Sequence, residues 1–184
     1  MGDNVAFKTI IDAILQGNIP VVQQHLRGIT DINSIGDGEQ TLLHAAAKKG
    51  NPFIIQLLLN RRGNPQAVDK EQRTPIMIAI ENQNTQAFQS LRKQGSTLLA
   101  SDTSGLNCLH YTAKYGNIEI LNDLLSNEFS QQVNEKTPYG ITALHFACYF
   151  DKPLVGLIYF FIEIILLGIL IFISFFKKYQ KFSW

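Results

Sequence analysis

The sequence predicts an all-α solenoid, about five helix pairs stacked in series, followed by one transmembrane helix. Two observations predict it. An eleven-residue segment beginning at Thr41 recurs after 33, 33 and 35 residues, and an almost uninterrupted apolar run covers residues 154–176.

The recurring segment reads Thr41-Leu-Leu-His-Ala-Ala-Ala-Lys-Lys-Gly-Asn51. It returns as Thr74-Pro-Ile-Met-Ile-Ala-Ile-Glu-Asn-Gln-Asn84 and as Asn107-Cys-Leu-His-Tyr-Thr-Ala-Lys-Tyr-Gly-Asn117. The last copy is Thr142-Ala-Leu-His-Phe-Ala-Cys-Tyr-Phe-Asp-Lys152. A worn first copy places Gly17-Asn18 in the slots of Gly50-Asn51, so asparagine holds positions 18, 51, 84 and 117.

Residues 5–28 predict the first helix pair. Phe7, Ile10, Ile11, Ile14 and Leu15 have helical spacing, and Val21, Val22 and Leu26 follow the Gly-Asn turn. Asn18 suits an N-cap, and Pro20 fits a first turn, where no amide donor is lost. This copy opens with Lys8-Thr9-Ile10-Ile11 instead of the recurring motif, as a terminal repeat facing water does. The next three pairs each join a short inner helix to an outer helix, at 52–59, 85–92 and 118–125. Ala45, Ala46, Ala79, Ala113 and Ala147 let inner helices approach closely. Loops such as Val68-Asp-Lys-Glu-Gln72 and Ser101-Asp-Thr-Ser-Gly105 carry turn residues. Loop 126–141 absorbs the two extra residues of the last interval.

In the run from Leu154 to Phe176, 18 of 23 residues are Leu, Ile, Val or Phe, and Glu163 is the single charge. A helix of that length reaches about 35 Å, enough for a hydrocarbon core of about 30 Å. Its apolar residues favour insertion by at most about 5–11 kcal/mol, against roughly 3 kcal/mol for the carboxylate. Glu163 is thus an intramembrane polar candidate. The run also begins in repeat phase, Lys152-Pro153-Leu154-Val155 matching Asn51-Pro52-Phe53-Ile54.

With Thr74-Pro75, Leu109-His110 and Leu144-His145 in phase, the chain resembles the ankyrin-repeat family over residues 5–153. The expected organisation is a tail at 1–4, then copies near 5–35, 36–68, 69–101, 102–136 and 137–153. A transmembrane helix at 154–176 and a basic, aromatic tail at 177–184 follow. The resemblance implies short β-hairpin loops projecting as fingers. It also implies that His44, His110 and His145, which share one slot, hydrogen-bond between neighbouring loops. Partners of such repeats are held by finger tips and inner-helix ends. By repeat phase these are Asp37, Gly38, Gln40, Lys48 and Lys49, then Lys70, Glu71, Arg73, Glu81 and Asn82. The fourth copy supplies Thr103, Ser104, Leu106, Lys114 and Tyr115, and the fifth Pro138, Tyr139, Ile141, Tyr149 and Phe150. Tyr115, Tyr139, Tyr149 and Phe150 are the expected hot spots, because large rigid aromatics dominate interface energetics.

Composition narrows the function. Net charge is +1; without Lys177, Lys178, Lys181 and Glu163, 13 basic residues stand against 14 acidic ones, net −1. That balance argues against nucleic acid as the principal partner. The two cysteines, Cys108 and Cys148, offer neither a disulfide framework nor metal spacing. No Ser-His-Asp set, phosphate loop or paired carboxylates stand at a useful spacing, so no catalytic residue, metal, cofactor or small-molecule substrate is expected. No Asn-x-Ser/Thr acceptor or signal-peptide pattern occurs, which favours cytosolic repeats. The lysines after the apolar run pull the other way by the positive-inside rule.

The expected protein is therefore a non-catalytic, tail-anchored, single-pass membrane scaffold holding a protein partner, with the bilayer bound through 154–176. Two alternatives stand beside it. One is a short form of a multi-span palmitoyltransferase-like or channel-like ankyrin protein, although the Asp-His-His-Cys motif of such transferases is absent. The other is a soluble ankyrin adaptor whose apolar tail is artefactual or buried.

Overall fold

The computed structural model describes residues 2–29, 31–36, 39–126 and 132–164. Their complete helices are α1 (Gly2–Gln16), α2 (Ile19–Leu26), α3 (Leu42–Lys49), α4 (Pro52–Asn60), α5 (Pro75–Glu81), α6 (Thr85–Lys93), α7 (Cys108–Tyr115), α8 (Ile118–Leu125) and α9 (Ala143–Tyr149). A further helical stretch, α10, covers 153–164. The chain divides into two compact units between Tyr111 and Thr112, inside α7.

In the first unit, inner helices α1, α3 and α5 pack in series, while α2, α4 and α6 form the outer row. The inner helices are short and apolar almost all round because each lies between two neighbours. From Leu42 to Ala47 every residue of α3 is buried, as is every residue of α5 from Pro75 to Ile80. Outer helices bury one face only: Val22 and Leu26 in α2, Ile54, Ile55 and Leu58 in α4, Ala87, Phe88 and Leu91 in α6. In the second unit, α8 buries Ile120, Leu121 and Leu124, and α9 buries Ala143 and Ala147.

One backbone feature makes each pair. One or two residues past the inner helix, the residue just before the outer helix's cap position is left-handed in every copy: Gly17 (φ 75°), Gly50 (82°), Gln83 (56°), Gly116 (82°) and Asp151 (50°). This reverses the chain and leads into the outer helix. The asparagine that follows caps that helix. Asn18 Oδ1 accepts from Val21 N–H at 3.3 Å, Asn51 Oδ1 from Phe53 N–H at 3.0 Å, and Asn117 Oδ1 from Ile120 N–H at 3.0 Å. Asn84 departs from this. Its Nδ2 donates backwards to Ala47 O (3.1 Å) and Lys48 O (2.8 Å), closing the preceding inner helix.

Two features of the expected fold are corrected. The loops are not β-hairpins: no strand occurs among the described residues. Each finger is closed by one long rung, Gly36 N–H to Gln40 O (2.9 Å), Asp69 to Arg73 (3.0 Å), Asp102 to Leu106 (3.0 Å) and Thr137 to Ile141 (2.9 Å), too little for a ladder. The second correction concerns the transmembrane helix and, with it, the single-pass membrane location. Among the described residues no helix is long and apolar enough to cross a membrane. The described part of α10 would span only about 18 Å. It buries Val155 (2% exposed) and Tyr159 (0%), and Gly156 faces the Ala147 Cβ, so it serves as the fifth copy's outer helix. Glu163 is a half-buried residue of α10. The remainder of the expected span, 165–176, and the tail 177–184 lie outside the described residues.

A side chain at Gly50 meets both a left-handed backbone and the Asn84 amide, whose Oδ1 lies 2.5 Å from an ideal Cβ. Gly50→Ala is expected to lower unfolding free energy by about 1–3 kcal/mol in urea titration. Gly28→Ala, where the nearest atom is His25 O at 3.7 Å and φ is ordinary, should change it by less than about 0.5 kcal/mol.

Candidate partner-binding surface

The expected contact residues divide into two sets: those already committed to holding repeats together, and those left facing solvent.

The committed set centres on His44 and Arg73. His44 is 1% exposed. Its Nδ1 accepts from Thr41 N–H at 3.2 Å, because an amide can only donate. The ring proton therefore sits on Nε2, which donates to Arg73 O in the next copy at 2.9 Å. This is the loop-to-loop bond the family resemblance implied. His145 repeats the local half, with Thr142 N–H donating to Nδ1 at 3.2 Å. Met77 fills the same slot in the third copy and is fully buried.

Arg73 is a structural knot. Its guanidinium meets Asp69 at 2.8 Å, Glu71 at 3.1 Å and Glu81 at 3.2 Å. Asp69 is completely buried and organises its finger, Oδ1 accepting from Glu71 N–H and Arg73 N–H, both at 2.9 Å. Burial alone would raise its pKa, but the hydrogen bonds and charge of Arg73 outweigh that and lower it. Asp102 repeats the turn, accepting from Ser104 N–H (2.8 Å) and Leu106 N–H (2.9 Å) on Oδ1 and from Tyr111 Oη–H (2.9 Å) on Oδ2. Burial first, then Asp102, raises the Tyr111 phenol far above its usual pKa. Glu71 O accepts from Thr103 N–H at 2.9 Å, tying the two fingers together. Asp69 and Asp102 escaped the sequence reading of contact residues, although their 33-residue spacing was visible. Burial holds the Cys108 thiol up at about 12, which makes it an inert core residue.

The second set is open to solvent. In the first unit, Lys48, Lys49, Lys70, Asn82, Thr103 and Ser104 are exposed, while Gln40 and Leu106 are half-buried at finger bases. Asn82 Nδ2 turns back to Ile78 O at 2.9 Å. Asp37 and Gly38 lie outside the described residues. In the second unit, Tyr139 and Tyr149 are 80% and 82% exposed, with Ile141 and Phe150 at 37% each. Pro138 is exposed beside Tyr139. Lys114 Nζ lies over the Tyr115 ring at 5.1 Å and over Phe150 at 5.5 Å. Phe150 stacks on Phe146 (6.2 Å, 7°) and meets Tyr149 edge-on at 5.0 Å. The result is an aromatic ledge around one ammonium group. No cluster of metal-ligating side chains occurs among the described residues.

A family model for ankyrin repeats (3 copies) matches residues 10–102, and one for ankyrin repeats (many copies) matches 109–162. The chain belongs to the ankyrin-repeat family. The second match runs through most of α10, consistent with its role as a repeat helix. Among curated proteins, the chain is 30% identical over 124 residues to a putative E3 ubiquitin-protein ligase, XBAT31, of Arabidopsis thaliana, covering 61% of this chain and 27% of that one. It is 32% identical over 142 residues to Inversin of Homo sapiens, covering 76% and 13%. It is 25% identical over 115 residues to a transient receptor potential cation channel, subfamily A member 1, of Drosophila melanogaster, covering 59% and 10%. The chain thus spans about a quarter or less of these relatives. Their names differ widely while the repeats are shared, as expected of protein-interaction modules that are typically non-catalytic.

Burial is the largest influence on His44 and lowers its pKa below 6.5, although the Arg73 carbonyl and Asp69 pull upward. A group whose folded pKa is depressed stabilises the fold above its unfolded pKa and loses that contribution as pH falls. Urea midpoints are expected to drop as pH falls below about 6.5. His44→Gln should flatten that part of the profile and cost about 1–3 kcal/mol at neutral pH, since two buried partners lose their bonds.

Proposed function

We propose that this chain is a non-catalytic ankyrin-repeat adaptor that binds a protein partner through finger tips and inner-helix ends. The observation that carries this reading is the aromatic ledge of the second unit. Tyr149 on that ledge, and Tyr139 on the finger of the same copy, keep about four-fifths of their surface in solvent, although buried aromatic area is among the strongest contributions to folding. Rigid aromatics beside one another and beside a cation have the composition of an interface hot spot. The ion pairs of Arg73 with Asp69 and Glu81 support a positioning role for Arg73 and Glu81. Contact then falls to Gln40, Lys48, Lys49, Lys70, Asn82, Thr103, Ser104, Leu106, Lys114, Tyr115, Pro138, Tyr139, Ile141, Tyr149 and Phe150. The organisation expected from sequence is retained for the repeats, with the fifth copy extended to residue 164 by α10.

Affinity capture with the full chain, followed by measurement of each purified partner's affinity, tests the reading. Tyr139→Ala and Tyr149→Ala are each expected to weaken a direct partner about tenfold or more with unchanged helical circular dichroism. Partners that bind both variants as tightly as the native chain would refute this surface.

A further inference from the structure

We infer that the C-terminal ends of the outer helices α2, α4 and α6 form a basic docking face for an acidic, extended protein segment. This face belongs to the first unit and is separate from the finger and inner-helix surface.

Arg27 is the C-cap of α2, Arg61 the C-cap of α4, Arg62 follows it, and Lys93 ends α6. All four are exposed. None pairs with a carboxylate among the described residues, whereas Arg73 in the same unit gathers three. Cations at helix C-termini suit the helix dipole, which accounts for one per helix. It does not account for the Arg61-Arg62 pair or for the way these ends are tied together.

The ties hold the cations in register. Arg61 Nη1 donates to Leu26 O at 2.6 Å, laying its guanidinium on the end of α2, beside Arg27. Asn33 clamps the next turn, Nδ2 donating to Arg62 O (3.2 Å) while Oδ1 accepts from Asn64 N–H (2.7 Å). One copy on, Gln66 repeats the clamp with Gly95 O (2.7 Å) and Thr97 N–H (2.9 Å), just after Lys93. A cleft of about 430 Å³ opens along this edge, lined by Asn33, Asn60, Arg61 and Arg62. The one acid there, Asp31, spends Oδ1 on Asn33 N–H at 2.9 Å.

Neighbouring helices lie about 8–10 Å apart. An extended chain advances about 3.3 Å per residue, so carboxylates three residues apart meet successive helix ends. The fitting ligand is therefore an extended segment with Asp or Glu at about every third position.

Fluorescence anisotropy with the full chain tests this, using a labelled peptide with Glu at every third position. Comparison peptides carry Gln for Glu, or the same glutamates clustered. The spaced peptide is expected to bind about tenfold more tightly than either and to weaken with added salt. Arg27→Glu with Lys93→Glu, side chains that hold no hydrogen bond among the described residues, should weaken it about tenfold without changing circular dichroism. Lys8→Glu with Lys136→Glu, the charge-matched control, should not. Equal binding of the Gln or clustered peptide, or equal loss in the control, overturns the proposal. So does binding to phosphatidylserine vesicles that depends on Arg27 and Lys93 while the peptide fails to bind. Tyr149→Ala should leave peptide binding unchanged, which separates failure here from failure of the aromatic surface.

Discussion

The left-handed residue after each inner helix is the constraint on which the other contacts depend. It sends the outer helix back beside the inner one, so that each pair buries one seam itself and leaves another for the next copy. Glycine fills the position three times, and each time a side chain of the following copy lies against it: Lys49 at Gly17, Asn84 at Gly50 and Lys152 at Gly116. The turn and the stacking are therefore one requirement, met by one residue type at one spacing. Gln83 and Asp151 adopt the same conformation with a Cβ, a cost the surrounding packing offsets.

Above the backbone turn lies a polar register. His44 is held by its own copy through Nδ1 and reads the next copy through Nε2; Asn33, Gln66 and Asn84 each reach across to backbone groups of a neighbour. Apolar contacts between helices tolerate sliding, whereas directional bonds to backbone do not. These side chains choose one stacking distance from the many that burial alone allows. Asp69 and Asp102 do the same work within the fingers, replacing a β-ladder by side-chain bonds to the amides two and four residues on.

This division explains where function is available. Side chains that set register spend polar groups on a neighbour's backbone, and His44 among them is buried outright. The exposed groups include the finger and inner-helix residues of the first unit, the second unit's aromatic ledge and the basic helix ends of the first. The last two differ in physics: the ledge offers area that excludes water, while the basic edge offers charge whose effect fades with salt.

The repeat family, the helix pairs and the asparagine caps were legible in the sequence, because period and capping chemistry are local. Many solvent-facing positions were legible too, since repeat phase separates them from the core. Arg73 was not: its neighbours Asp69 and Glu71 are close in sequence, but Glu81 reaches it only through the fold. Nor was the role of residues 154–164. A leucine-rich helix has the same composition whether its surroundings are lipid or a packed repeat, and only the burial of Val155 and Tyr159 beside α9 decides between them. Sequence by itself determined the repeating unit, through spacing, turn residues and caps. Tertiary structure decided which charged and apolar groups were consumed in joining one unit to the next, because that depends on distances no local pattern contains.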